Sequence, residues 1–123
     1  MNVWSKTLPA LVLVVGTSAV AHAGVRYAGP GPKANDEFVR CIATNAGRTP
    51  VTIKIEVLDA NGVTLAEDSG LTYAAETNWV ETKAPTAILC RFTTSGSTKT
   101  MNGTLAILEN DLGTRTRAVI PAQ

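Results

Sequence analysis

The sequence predicts an all-β protein, an antiparallel immunoglobulin-like sandwich of about seven short strands with one disulfide joining its two sheets. Three observations predict it. Strand-like stretches recur about every 10 to 14 residues from Glu37 onward, each bounded by turn-forming residues. No stretch sustains a helical period of apolar residues. The two cysteines, Cys41 and Cys90, both fall on the apolar side of their strands.

The elements follow in order. Residues 1–23 read as a secretory signal peptide. Lys6 and the α-amino group make a short positive start, and Leu8 to Val20 is an apolar run broken only by Pro9, Gly16, Thr17 and Ser18. Ala21-His22-Ala23 is a small-x-small cleavage site. The run, about 13 residues, is too short to span a bilayer comfortably. Cleavage leaves Gly24 first and removes His22, the one histidine. The expected localisation is periplasmic or extracellular, with no stable membrane insertion after cleavage.

Residues 24–36 read as a Gly/Pro-rich leader centred on Ala28-Gly-Pro-Gly-Pro32, with one short strand at Val25 to Tyr27. Such a leader reads as plain disorder, a flexible tether or a partner-binding arm. The sandwich domain is expected over residues 37–123. Glu37 to Thr44 is its first strand, followed by the turn Asn45-Ala-Gly-Arg-Thr-Pro50. Val51 to Leu58 is the clearest strand: Val51, Ile53, Ile55 and Val57 alternate with Thr52, Lys54 and Glu56. Asp59-Ala-Asn-Gly62 is a hairpin turn, since Asn and Gly tolerate positive φ. Val63 to Glu67 is the next strand, then a polar loop, then a strand at Glu76 to Thr82 ended by Lys83-Ala-Pro-Thr86. Ala87 to Thr94 precedes Ser95-Gly-Ser97, and Thr100 to Glu109 precedes Asn110-Asp-Leu-Gly113. The last strand, Thr114 to Ile120, stops at Pro121.

Solvent-facing Arg40 and Arg91 set the register. Alternation then turns Val39, Cys41 and Ala43 inward on one strand, and Ile88, Cys90 and Phe92 inward on another. An inter-sheet Cys41–Cys90 bridge needs that geometry. Two buried free thiols fit the same alternation, but an even cysteine count in an exported chain favours the bridge.

Cys41-Ile-Ala-Thr-Asn-Ala-Gly, Pro50-Val-Thr-Ile-Lys-Ile-Glu-Val, Asp59-Ala-Asn-Gly and Cys90-Arg-Phe-Thr-Thr-Ser-Gly together resemble small exported bacterial β-sandwich proteins with one disulfide and no assigned function. The resemblance spans most of residues 37 to 110. It rests on strands, turns and a cysteine pair, and it implies a fold and export but no activity.

Composition narrows the function classes. Only Lys6 of the 11 Lys and Arg lies in the leader peptide, so the remainder balances the 10 Asp and Glu. The basic residues form no run, which argues against nucleic acid as a partner. Nucleophilic catalysis needs a base beside its nucleophile, and the mature chain has no His and no S-x-x-K signature. Ser69, Ser95 and Ser97 sit in turn-like sequence. Asp59, Asn61, Glu67 and Asp68 superficially match a Ca²⁺ loop but lack the closing Glu and the further oxygen ligands. Asn102-Gly-Thr104 fits the N-glycosylation pattern but falls in a strand. No enzyme activity, metal or cofactor is expected.

One candidate surface remains. In Thr77-Asn-Trp-Val-Glu-Thr82, Trp79 shares a face with Thr77 and Glu81 while Val80 takes the other, so a core-facing Val80 exposes Trp79. An exposed Trp beside polar groups stacks on a sugar ring or anchors a protein. Trp79 and Tyr73 are therefore the candidate partner-binding residues of an exported binding module for a protein or surface glycan. The alternative reading is an envelope structural or self-assembling component. A small carboxylate-dependent hydrolase, or an inhibitor, ranks last.

Overall fold

The computed structural model describes residues 24–31, 33, 34, 36–109 and 115–123. The signal-peptide reading of residues 1–23 and the turn at 110–113 lie outside the described residues. Among the described residues, eight strands make two four-stranded sheets, all pairs antiparallel. They are β1 (Gly24–Ala28), β2 (Phe38–Asn45), β3 (Val51–Leu58), β4 (Thr64–Thr72), β5 (Thr77–Thr82), β6 (Leu89–Thr94), β7 (Met101–Glu109) and β8 (Arg115–Pro121). The first sheet has the order β1-β6-β3-β4 and the second β5-β2-β7-β8. Among the described residues there is no α-helix, only a short 3-10 turn at Thr98–Thr100.

Alternating apolar residues build the core between the sheets. Val39, Cys41 and Ala43 of β2 and Leu105 and Ile107 of β7 face Ile53, Ile55 and Val57 of β3 and Cys90 and Phe92 of β6. Cys41 and Cys90 form the disulfide between β2 and β6, hence between the sheets. Ile88, expected to turn inward, lies just before β6 and is only half-buried; the strand alternation starts at Leu89, the neighbouring Ala87 is the buried residue, and Ile88 N donates to Leu58 O (3.1 Å).

Two segments differ from the sequence reading. The sandwich begins at Gly24 rather than Glu37: β1 pairs along its length with β6, from Gly24 opposite Thr94 to Ala28 opposite Cys90. Ala28 is fully buried, and Gly31 N donates to Ile88 O (2.9 Å), so these leader residues are packed into the fold. Next, β4 runs on through the expected polar loop to Thr72, pairing Glu67, Asp68, Ser69 and Gly70 with β3. An edge strand exposed on both faces needs no apolar alternation, so its sequence looks like a loop. Ser69 is thus a strand residue, opposite Lys54.

Polar caps close the ends. Asn45 is buried at the end of β2 and uses its whole amide: Nδ2 donates to Thr49 O (2.9 Å) and Thr72 O (3.0 Å), and Oδ1 accepts from Gly47 N (2.9 Å). It ties the β2–β3 turn to the end of β4 without leaving a buried polar group unpaired. Asp59 Oδ1 accepts from Asn61 N and Val63 N (both 2.9 Å), and Gly62 takes φ +82°, which a side chain would strain.

Candidate functional site

The two outer faces of the sandwich differ in chemistry. On the β1-β6-β3-β4 sheet the outward side has a charged, internally satisfied centre, flanked by exposed Val25 and Tyr27 on β1 and Leu71 on β4. Glu56 points outward from β3, yet it is only 3% exposed. Arg91 grips it with Nε on Oε1 (2.9 Å) and Nη2 on Oε2 (2.8 Å), and Thr64 Oγ1 donates to Oε2 (2.9 Å). Lys54 Nζ stands 3.9 Å from both Glu56 and Glu67. The Arg91 hydrogen bonds, helped by Thr64, hold the Glu56 carboxyl below its ordinary range against the opposing effect of burial. Arg91 is raised in turn, first by Glu56 and then by Tyr27.

A pH dependence follows from this pair. A carboxyl depressed in the folded state stabilises the fold above its unfolded value of about 4.3, and that contribution disappears as pH falls through the folded value. Arg91→Ala should cost about 2–3 kcal/mol at neutral pH, since it leaves a buried carboxylate poorly paired. Urea unfolding at pH 7 and pH 3 checks this. The cost should shrink at the lower pH, and equal costs would contradict the ion-pair account. Glu37 is lowered similarly, first by its bond from Arg117 Nε to Oε2 (2.6 Å) and then by Ala34 N.

The outer face of the β5-β2-β7-β8 sheet mixes apolar and polar residues, with exposed Trp79 and Val119 on its edge strands and buried Ala106 and Leu108 between them. β5 presents Thr77, Trp79 and Glu81, because Val80 packs against the core. Trp79 is 55% exposed. Cross-strand register sets it beside Ile42 of β2, with Thr104 of β7 and Pro121 of β8 next along the row. The adjacent row is Glu81, Arg40, Ala106 and Val119, and Phe38 and Leu108 follow. Val119 is 59% exposed.

The indole is held in place. Arg40 Cζ sits 5.3 Å from the Trp79 ring centroid, and Arg40 Nε donates to Glu81 Oε1 (2.7 Å). Carboxylate, guanidinium and indole therefore form one stack, with the cation against the ring's negative π face. Thr44 and Thr77 hydroxyls bond to each other beside it (2.7 Å). The result is a rigid aromatic platform on an edge strand, ringed by threonines.

The other sequence candidates lie elsewhere. Tyr73 is 59% exposed in the β4–β5 turn, where its N–H donates to Glu76 Oε1 (2.8 Å). It follows the first sheet rather than facing out from the second, and no ring contact joins it to Trp79 among the described residues. The Asp59 carboxylate shapes its own turn through the Asn61 and Val63 amides. Ser95 Oγ accepts from Thr52 N (2.9 Å) and Ser97 Oγ from Lys99 N (3.1 Å), so both tie loops together. Asn102 lies within β7, opposite Thr44. In the sequence Arg40 is marked only as solvent-facing; its place opposite Glu81 and beside Trp79 is set by the pairing of β2 with β5.

No family model, curated protein or solved structure matches the chain. The disulfide marks an oxidising, non-cytoplasmic environment. Among the described residues no helix is long and apolar enough to cross a membrane.

Proposed function

We propose that the chain is an exported binding module, non-catalytic, which meets a protein or a surface glycan through the outer face of the β5-β2-β7-β8 sheet. Export rests on the signal-peptide pattern at 1–23 and is consistent with the disulfide. The observation that carries the binding reading is Trp79, more than half exposed and fixed by Arg40 and Glu81 on the outer sheet face. Large aromatic side chains that are exposed yet conformationally held are the anchors of recognition surfaces, since little side-chain entropy is lost on contact.

The test is an affinity pull-down from the host with the oxidised protein as bait, with a glycan array in parallel. Trp79→Ala should abolish retention of the partner while leaving the thermal transition within a few degrees of wild type, because the ring is outside the core. A partner retained equally by Trp79→Ala would remove the site from consideration. Collapse of the thermal transition would make the ring a structural element instead.

A further inference from the structure

The two outer faces differ at their centres: Lys54, Glu56 and Arg91 occupy one, and Ile42, Arg40 and Ala106 the other. An antiparallel sheet with one solvated side normally alternates apolar-in and polar-out. The β1-β6-β3-β4 sheet obeys this along its middle, with Lys54, Glu56, Glu67, Ser69, Arg91 and Thr93 outward, while its edge strands add exposed Val25, Tyr27 and Leu71. The β5-β2-β7-β8 sheet breaks it in its central rows, where Trp79 and Val119 are exposed on the edge strands, Ile42 is half-buried between them, and Ala106 and Leu108 are buried beneath their neighbours.

We propose that this face packs against the same face of a second copy of the chain, making a two-fold dimer. The inference rests on the reading of the Trp79 face as a contact surface and names its occupant. Two observations favour a second copy. The first is charge. A two-fold interface must complement itself, and the central charged residues here are one Arg and one Glu. Arg40 spends Nε on Glu81 Oε1, and among the described residues its two terminal amino groups and Glu81 Oε2 take no other protein hydrogen bond. Two copies related by a two-fold axis that crosses β2 and β5 bring each Arg40 towards the Glu81 of the other, so four charges alternate in sign between the sheets. The second is area. Four strands about 4.8 Å apart and about seven residues long span roughly 450 Å² in projection. Side-chain relief raises the accessible area above that, so two such faces reach the roughly 1,000 Å² that a specific interface needs. Net charge does not oppose the pairing, since the chain without its first 23 residues is balanced.

Sedimentation velocity of the oxidised protein over a concentration series tests this. Wild type should shift from monomer to dimer, and Trp79→Ala should weaken the association about 30-fold or more. Val119→Asp, at the far edge of the same face, should do likewise, with both variants melting as wild type does. Arg40→Glu and Glu81→Arg should each be monomeric alone, and an equal mixture of the two should recover a heterodimer. That recovery separates pairing across copies from the bond within one copy, which neither variant retains. A wild type that stays monomeric at every concentration overturns the dimer, as does a dimer untouched by Trp79→Ala and Val119→Asp. A monomer that still loses a heterologous partner or a glycan on Trp79→Ala would leave the contact surface standing and remove only its second copy.

Discussion

Removing the disulfide, by Cys41→Ala with Cys90→Ala, should lower the free energy of unfolding by about 4 kcal/mol. The bridge closes a loop with a sequence separation of 49, and restricting the unfolded chain by a loop of that length accounts for about 4 kcal/mol in the chain-entropy model. Both sulfurs are wholly buried where the sheets face each other, so the variant also loses packing there. Domains of this size hold about 5–15 kcal/mol in all, which puts the variant close to its unfolding transition at room temperature. Urea unfolding read by tryptophan fluorescence measures the loss as a lower midpoint. A loss under about 1 kcal/mol would mean that the unfolded state is already constrained without the bridge. The same burial governs reactivity: native protein should yield no reduced thiols until it unfolds, and its intact mass should be two hydrogens below that of the reduced, denatured form.

What could be read from the sequence was whatever one strand carries by itself. β3 was legible because each of its faces sees a different environment, so Val51, Ile53, Ile55 and Val57 alternate with polar residues. The inward turn of Cys41 and Cys90 followed from the same rule once Arg40 and Arg91 were set outward, and so did the exposure of Trp79 once Val80 was set inward. β4 was cut short because an edge strand has no buried face to impose a pattern. β1 was half-seen, since five residues beside a Gly/Pro cluster carry little period, and its place depends on β6, more than 60 residues later in sequence. The interactions between strands were invisible for the same reason. Glu56 looked like an ordinary solvated residue of an alternating strand; its burial comes from Arg91, 35 positions away. Likewise Glu37 meets Arg117 across 80 positions. The Trp79–Arg40–Glu81 stack joins β2 to β5, and no local spacing marks it. Strand-level pattern thus gives the fold and the direction of each side chain, whereas the site is made by pairing.

Phe92→Ala should cost about 3–5 kcal/mol, the range for emptying a large aromatic site in a close-packed core. Phe92 is the largest fully buried side chain and stands between β1 and β3, opposite Arg26 and Ile55 in the register. What it faces on the other sheet is a glycine. A Cβ built on Gly103 would lie 2.7 Å from Phe92 Cδ2, 2.8 Å from Cε2 and 3.1 Å from Cγ. The ring therefore lies flat on the β7 backbone, in the space a side chain at 103 would occupy. Glycine weakens a strand, and here the strand tolerates it because the ring supplies the missing packing. Gly103→Ala alone should then be destabilising by about 1–3 kcal/mol, since the ring is fully enclosed and cannot give way cheaply. The two changes should couple strongly. In the Phe92→Ala background the extra methyl at 103 enters vacated space, so its effect should fall to near zero or turn stabilising, a departure from additivity of at least about 1 kcal/mol. A double-mutant cycle by urea unfolding measures it. Additive costs would mean that the ring and the glycine do not share one site, and that the inter-sheet spacing at this point is set by other residues.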